Sequence, residues 1–150
     1  MSWARLFSYD GIVSDADEAP STDAIALVDG YLARFGERIG VALPPLDEFG
    51  YAELQRGSAT VGINVLAEDG VLLLLGRVGP VPAEGQAELF RRMLEANFLD
   101  TGEAAFAIDP ERDTIFVRAM RRIEGLDYQE FVDLLQAVAA VADAWDDRLA

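Results

Sequence analysis

The hydrophobic positions of the chain follow a helical period in three stretches. The first begins at Thr22 and stops at Gly40, a residue type that commonly ends helices. A second stretch runs over residues 84–98, and a third follows Asp127. Asp127 stands where a helix N-cap is expected, and Glu130 three residues later completes a capping-box pattern. The pattern therefore predicts three amphipathic helices.

Between the helices, apolar and polar positions alternate as they do in β-strands. Residues 51–78 contain the alternating segment ATVGINVLA, the turn residues EDG and the returning segment VLLLLGRV. A tight turn at EDG pairs Val65 with Leu72 and Ile63 with Leu74 on one face of the sheet. Two further strands, over residues 103–108 and 114–121, flank the turn segment DPERD.

The order of these elements is helix, three strands, helix, two strands, helix. This order (α-β-β-β-α-β-β-α) predicts an α+β fold with three helices and an antiparallel five-stranded sheet. Residues 22–150 form a single domain, and residues 1–21 precede it as an N-terminal arm. The arm combines three aromatic residues with the acidic, turn-rich segment SDADEAPS. Because a disordered tail rarely carries so many aromatic residues, we expect the arm to pack on its own domain.

One face of the predicted sheet carries more apolar residues than a solvent-facing surface requires. A sheet with helices on one face normally alternates apolar and polar residues along each strand. Here the face away from the helices carries large apolar side chains: Leu66, Val71, Leu73, Leu75, Phe116 and Met120. Large exposed apolar patches mark interaction sites. The patch is covered by the N-terminal arm, by a second subunit or by a client polypeptide, and the sequence leaves these alternatives open.

Composition excludes several classes of chemistry. The 150 residues include no histidine, cysteine or lysine, so catalysis by these side chains and disulfide bonds are ruled out. The formal net charge of -15 disfavours nucleic acids and anionic membrane surfaces as partners, because binding them requires neutralising negative charge. Apolar runs such as VLLLL are far shorter than the about 20 residues of a membrane span. With no signal-peptide pattern at the N-terminus, we expect a cytoplasmic protein.

The acidic and glycine-rich segments match no catalytic or cofactor-binding motif. Pro20 occupies the sixth position counted from Asp15, where a calcium-binding loop requires glycine. The segment GRVGPVPAEG lacks the lysine and the spacing of a phosphate-binding loop. Arg118, Arg121 and Arg122 are able to clamp an acidic segment, although such arginines more often balance neighbouring acids. The enzymatic alternative is a hydrolase with paired carboxylates; we expect no enzyme, no metal and no cofactor.

From Leu89 onward the chain resembles a known family. The matching features are LEANF at a helix end, FAID before an acidic turn, IFVR, and GLDYQEF at the start of a helix that ends near Trp145. Together they resemble the class I type III secretion chaperones of the CesT type and their relatives, the YbjN-type proteins. Upstream, GSATVGINVL and VLLLLGRVGPVP are more similar to the YbjN-type branch. The resemblance covers roughly residues 22–149.

The resemblance implies a secretion chaperone-like fold that dimerises, often through its middle helix, and holds partly unfolded polypeptides without ATP. We therefore predict a non-enzymatic, homodimeric module that holds a polypeptide client on apolar sheet and edge surfaces. The expected partner-binding residues are Leu66, Leu73, Leu75, Phe116 and Met120. The expected dimer interface consists of Leu89, Phe90, Met93 and Leu94. The alternative is a YbjN-type regulatory protein that binds a folded partner.

Overall fold

The computed structural model describes residues 22–149, and the predicted arm of residues 1–21 lies outside this range. Its elements confirm the predicted order and the α+β fold. They are α1 (Thr22–Ile39), β1 (Tyr51–Arg56), β2 (Ala59–Leu66), β3 (Val71–Pro80), α2 (Gln86–Leu99), β4 (Ala105–Asp109), β5 (Thr114–Arg122) and α3 (Tyr128–Leu149).

The five strands form one sheet in the order β1-β2-β3-β5-β4, and every neighbouring pair is antiparallel. The predicted register of the β2–β3 hairpin is confirmed, since Ile63 pairs with Leu74 and Val65 pairs with Leu72. The register between β3 and β5 shifts between Arg77 and Gly79. This order leaves β1 and β4 as the two edge strands.

The hydrophobic core lies between one face of the sheet and all three helices. Side chains at alternate positions of β2 and β3 enter this core together with residues of α1, α2 and α3. The largest of its fully buried side chains are Phe131, Leu32, Ile63, Leu72, Leu74, Ile115, Val28, Val61, Val117, Val132 and Val138. Each such side chain contributes about 1.5–3 kcal/mol of transfer free energy relative to an exposed one. All three helices are therefore packed on one face of the sheet, and the opposite face takes no part in covering them.

The start of α3 is fixed by several polar contacts. The amide of Glu130 donates to Asp127 Oδ1 at 2.8 Å, which confirms the predicted N-cap. The second half of the capping box differs from the prediction, because the Glu130 carboxylate instead forms an ion pair with Arg121 at 3.0 Å. Tyr31 Oη donates to the carbonyl of Leu126 at 2.7 Å and links α1 to the same corner. These contacts hold α1, β5 and α3 together at one end of the sheet.

The start of α1 lies beside the end of β2. The amide of Val65 donates to the carbonyl of Gly50 at 2.8 Å, and Gly50 adopts a φ of +79°. A Cβ atom at Gly50 would approach Ile25 Cγ1 to 3.4 Å, so the first turns of α1 pack against this junction. The N-terminal end of α1 therefore lies near the turn between β2 and β3.

Candidate partner-binding surface

The sheet face opposite the helices, here called the outer face, presents its side chains in rows set by the strand register. One row joins Asn64, Leu73 and Met120 across β2, β3 and β5. Further along the same strands, Arg77 pairs with Phe116. The alternation of side chains along each strand places all five predicted partner-binding residues on this face: Leu66, Leu73, Leu75, Phe116 and Met120.

The apolar residues of the outer face differ in their accessibility. Leu73 is 0% exposed, whereas Met120 beside it is 36% exposed. Leu66, Leu75 and Phe116 are half-buried. Leu73 is not part of the core cluster between the sheet and the helices. A partner would therefore meet Met120 and the half-buried residues, while Leu73 offers no accessible surface of its own.

A groove of about 180 Å³ crosses the outer face near Gly62. The missing side chain of Gly62 leaves room for the ring of Tyr51, since a Cβ atom there would lie 3.3 Å from Tyr51 Cε2. Tyr51 Oη donates to Glu53 Oε2 at 2.9 Å. Burial and, secondarily, the hydrogen bond to Glu53 raise the pKa of Tyr51 to about 12. The groove is lined by Tyr51, Glu53, Thr60, Gly62, Asn64, Leu75, Arg77, Arg112, Thr114 and Phe116.

Arginines make the outer face basic within an acidic chain. Arg77, Arg118 and Arg122 occupy outer-face positions on β3 and β5, while the strand residues of opposite charge on this face are Glu53 and Asp109. Among the side chains that the structure describes, residues 23–146, none of these three arginines forms an ion pair with a carboxylate. The chain as a whole carries a formal charge of -15. The outer face is therefore suited to an apolar segment that carries negative charge.

The two edges of the sheet differ in how they are covered. At the β4 edge, Asn97 Oδ1 of α2 accepts a hydrogen bond from the amide of Phe106 at 2.8 Å. This contact satisfies an amide that would otherwise be available to an added strand. The β1 edge lies on the other side of the sheet, next to the groove that Tyr51 and Glu53 line. At this edge the amide of Tyr51 donates to Asp47 Oδ1 at 2.9 Å and its carbonyl accepts from the amide of Asp47 at 2.8 Å, so strand addition at β1 is limited to the residues after Tyr51.

Helix α2 has two apolar stripes that face different surroundings. Leu89 and Met93, two of the predicted dimer residues, are buried in the core of their own chain. Phe90 is half-buried, and Leu94 is 69% exposed. The sequence-based prediction omitted Phe98, which is 82% exposed. The signal for it was the i, i+4, i+8 spacing of Phe90, Leu94 and Phe98, which places the three on one side of the helix.

The side chains that the structure describes form no group of three or more acidic residues able to hold a metal ion. Nor does any helix within residues 22–149 have the length and apolar character required to cross a bilayer. The large apolar residues exposed in this part of the chain include Met120 on the outer face, Leu94, Phe98 and Leu99 of α2, and Phe49 in the loop before β1.

Several solved structures share this fold. A chain of the crystal structure of the ExsC–ExsE complex is 28% identical, with a TM-score of 0.66 over 82% of this chain and 93% of that chain. A chain of the HopA1–SchA chaperone–effector complex is 13% identical, with a TM-score of 0.67 over 85% of this chain and 99% of that one. The ExoU–SpcU complex of the type III secretion system of Pseudomonas aeruginosa matches with a TM-score of 0.62 and 19% identity, covering 80% of this chain and 95% of that chain.

No curated protein is significantly similar to the chain in sequence. The sequence model of a family does match it, over residues 30–146. That range begins within α1, ends within α3 and includes the whole sheet, so the match spans the fold described above. The chain belongs to the Tir chaperone protein (CesT) family.

Proposed function

We propose that this protein is a non-enzymatic chaperone that holds a polypeptide client in an extended form on the outer face of its sheet. The observation that carries the proposal is the outer face itself, in a chain of the CesT family. Leu75, Phe116 and Met120 supply accessible apolar surface there, and arginines border it. Outside the helix-covered core, a monomeric protein has no structural need for such a face.

The energetics favour an extended segment over a compact partner. Apolar surface that a client buries contributes about 25 cal/mol per Å², reduced by the cost of ordering the captured segment. A client strand added at β1 gains main-chain hydrogen bonds that make little demand on its sequence. The groove beside Gly62 accepts a side chain of such a segment, with Leu75 and Phe116 as its apolar lining. These features together fit an apolar client that carries acidic residues.

The complexes that contain similar chains support a secreted effector as the client class. One similar chain, 28% identical, comes from a complex of two proteins, ExsC and ExsE. The HopA1–SchA structure is a chaperone–effector complex. We infer that the client of this chain is a polypeptide of the same class, held before its secretion.

We further propose that the protein is a homodimer that associates through α2. The exposed stripe of Leu94 and Phe98, bordered by half-buried Phe90, is the accessible part of the interface expected from the sequence. Leu89 and Met93 lie on the buried side of the same helix, in the hydrophobic core. Burying two large side chains that are otherwise in water gives such an interface an apolar centre.

The experiment that tests the client-binding proposal uses an array of short overlapping segments from ExsE, HopA1 and ExoU. The wild-type chain is compared with the double variant Leu75→Asp, Met120→Asp on the outer face. Val41→Asp is the matched control, because Val41 is an exposed apolar residue that follows α1. We expect the wild type and the control to capture extended segments, and the double variant to lose capture with an unchanged melting temperature.

Two outcomes contradict the proposal. Capture that survives in the double variant removes the outer face as the client surface. Absence of capture from the array, combined with binding of ExsE, HopA1 or ExoU only as folded proteins, favours a YbjN-type regulator instead. Each outcome is read against the melting temperature, so that unfolding of a variant is not mistaken for loss of binding.

A further inference from the structure

We propose that the N-terminal arm, residues 1–21, occupies the outer face of its own chain when no client is bound, so that a client has to displace it. This inference rests on the proposed function in one respect, namely that the arm and the client compete for the same face. Docking of the arm is itself independent of any client and is testable alone.

The arm precedes α1, and α1 begins at the end of the sheet that carries the turn between β2 and β3. Ile25 packs against the junction of Gly50 and Val65, next to the turn between β2 and β3. Leu66 and Val71, which form the last pair of that hairpin, are the first outer-face residues beyond this turn. The arm therefore has only to pass the end of the sheet to reach the outer face.

The arm is long enough to cover the whole face. From Val71 to Arg77, β3 spans about 20 Å at the usual rise of a strand. An extended chain of 21 residues reaches up to about 70 Å. A segment that starts at Thr22 and turns back along β3 therefore extends past the groove at Gly62 with residues to spare.

The order of residues in the arm matches the order of features on the face. Acidic residues lie nearest to α1, at Asp15, Asp17 and Glu18. The first charged side chain on the face from that end is Arg122, which pairs with Val71, and Arg118 follows two rows later. The arm's aromatic residues lie further from α1 and are Trp3, Phe7 and Tyr9.

In this arrangement the acids of the arm meet the arginines, and its aromatic residues reach the groove between Leu75 and Phe116. The arm contains four acidic residues and one arginine, a formal charge of -3 from its side chains. Opposite charges on the two surfaces favour this alignment over the reverse direction.

Charge also favours the outer face over the exposed stripe of α2. The arginines beside that stripe already have partners: Arg91 forms an ion pair with Glu95 at 2.9 Å, and Arg92 lies 5.6 Å from the ring centroid of Trp145. On the outer face, Arg118 and Arg122 form no ion pair with any carboxylate of residues 23–146. Tethering raises the effective concentration of the arm to the millimolar range, so a weak contact is sufficient for occupancy.

The first test reads Trp3 directly in the full-length chain. Trp3 and Trp145 are the two tryptophans, and Trp145→Phe leaves Trp3 as the only one. We expect Trp3 emission to be blue-shifted and protected from acrylamide, relative to a synthetic peptide of residues 1–21. Adding Leu75→Asp and Met120→Asp should remove this protection, and so should the charge variant Arg118→Glu, Arg122→Glu, which leaves the apolar packing intact. Val41→Asp should retain it.

Three results overturn docking of the arm on its own chain. Trp3 is as accessible to acrylamide as in the free peptide; or it is protected but unaffected by both sets of outer-face substitutions; or its protection rises with protein concentration, which indicates exchange of arms between two copies.

The second test measures competition with the client, using a segment captured by the wild type on the array. The full chain with Trp3→Ser and Phe7→Ser should bind that segment about tenfold more tightly. In the wild type, the apparent affinity equals the intrinsic affinity multiplied by the fraction of molecules whose outer face is free of the arm. Unchanged affinity overturns the displacement. Failure of every segment to bind contradicts the proposed function, whereas docking of the arm is judged by Trp3 alone.

Discussion

Gly76 of β3 lies directly beneath Ala142 of α3. A Cβ atom at Gly76 would be 2.8 Å from Ala142 Cβ and 3.0 Å from Val138 Cγ1. The helix therefore rests on the backbone of the central strand at this point, and the absence of a side chain at Gly76 permits the contact. The close approach keeps α3 centred on the sheet and leaves the outer face as the sheet's other surface.

Gly76→Ala should lower the free energy of unfolding by about 1–3 kcal/mol, because the added methyl group forces α3 away from β3. Urea denaturation measures the change. The matched control is Gly30→Ala in α1, where nothing lies within 4 Å of the added atom. There alanine should raise the free energy of unfolding by about 0.5–1 kcal/mol through its higher helix propensity. Equal destabilisation by both substitutions contradicts the role of close packing.

Asn97→Ala should destabilise the β4 edge. It leaves the amide of Phe106, a buried residue, without its acceptor, and an unsatisfied buried amide costs about 1–3 kcal/mol. Faster hydrogen exchange at the Phe106 amide is the local measurement. Asn97→Asp keeps an oxygen acceptor at the same position and should retain most of the protection. If both variants exchange equally fast, the side-chain acceptor is not what protects this amide.

Tyr51 should ionise well above the ordinary tyrosine pKa of 10.0. Its pKa is raised from 10.0 to about 12, first by burial and then by the hydrogen bond to Glu53. Since the folded state favours the neutral phenol, this contribution to stability is complete below pH 10 and is lost as the pH rises through about 12. The difference between the phenolate absorbance of the wild type and of Tyr51→Phe isolates the transition.

Glu53→Gln should lower the pKa of Tyr51 only in part, because burial, the largest single cause of the shift, remains. Glu48→Gln is the control, since Glu48 is an exposed acid outside the causes of that shift. A Tyr51 transition at the ordinary tyrosine pKa in the wild type would show that the ring does not lie over Gly62 in solution.

Leu94→Glu together with Phe98→Glu should convert a dimer into folded monomers. Both residues are largely exposed on α2, so the charges are tolerated by the monomer but not at the centre of an apolar interface. Sedimentation velocity gives the oligomeric state, and circular dichroism gives the fold. Leu27→Glu, at an exposed leucine of α1, is the matched control and should remain dimeric. A wild type that is monomeric at every concentration contradicts the proposal.

Local features of the chain were sufficient to predict most of the fold. The period of apolar residues places the helices and strands, and the alternation of residues on either side of the EDG turn is enough to pair Val65 with Leu72. The N-cap at Asp127 follows from a motif of four residues. These features depend on residues close together in sequence, so the pattern contains the information needed to predict them.

Other features depend on which surfaces meet in three dimensions. Helix period predicts that Leu89 and Leu94 are apolar positions of α2, but only packing into the folded core buries the first and leaves the second in solvent. Likewise, the capping-box motif predicts that the Glu130 carboxylate accepts a hydrogen bond from the start of its own helix. In the folded chain β5 lies close by, and the carboxylate forms an ion pair with Arg121 instead. Periodicity gives the side of an element on which a residue lies. What covers that side, and how far it is buried, depends on contacts between segments distant in sequence, and these exist only in the folded chain.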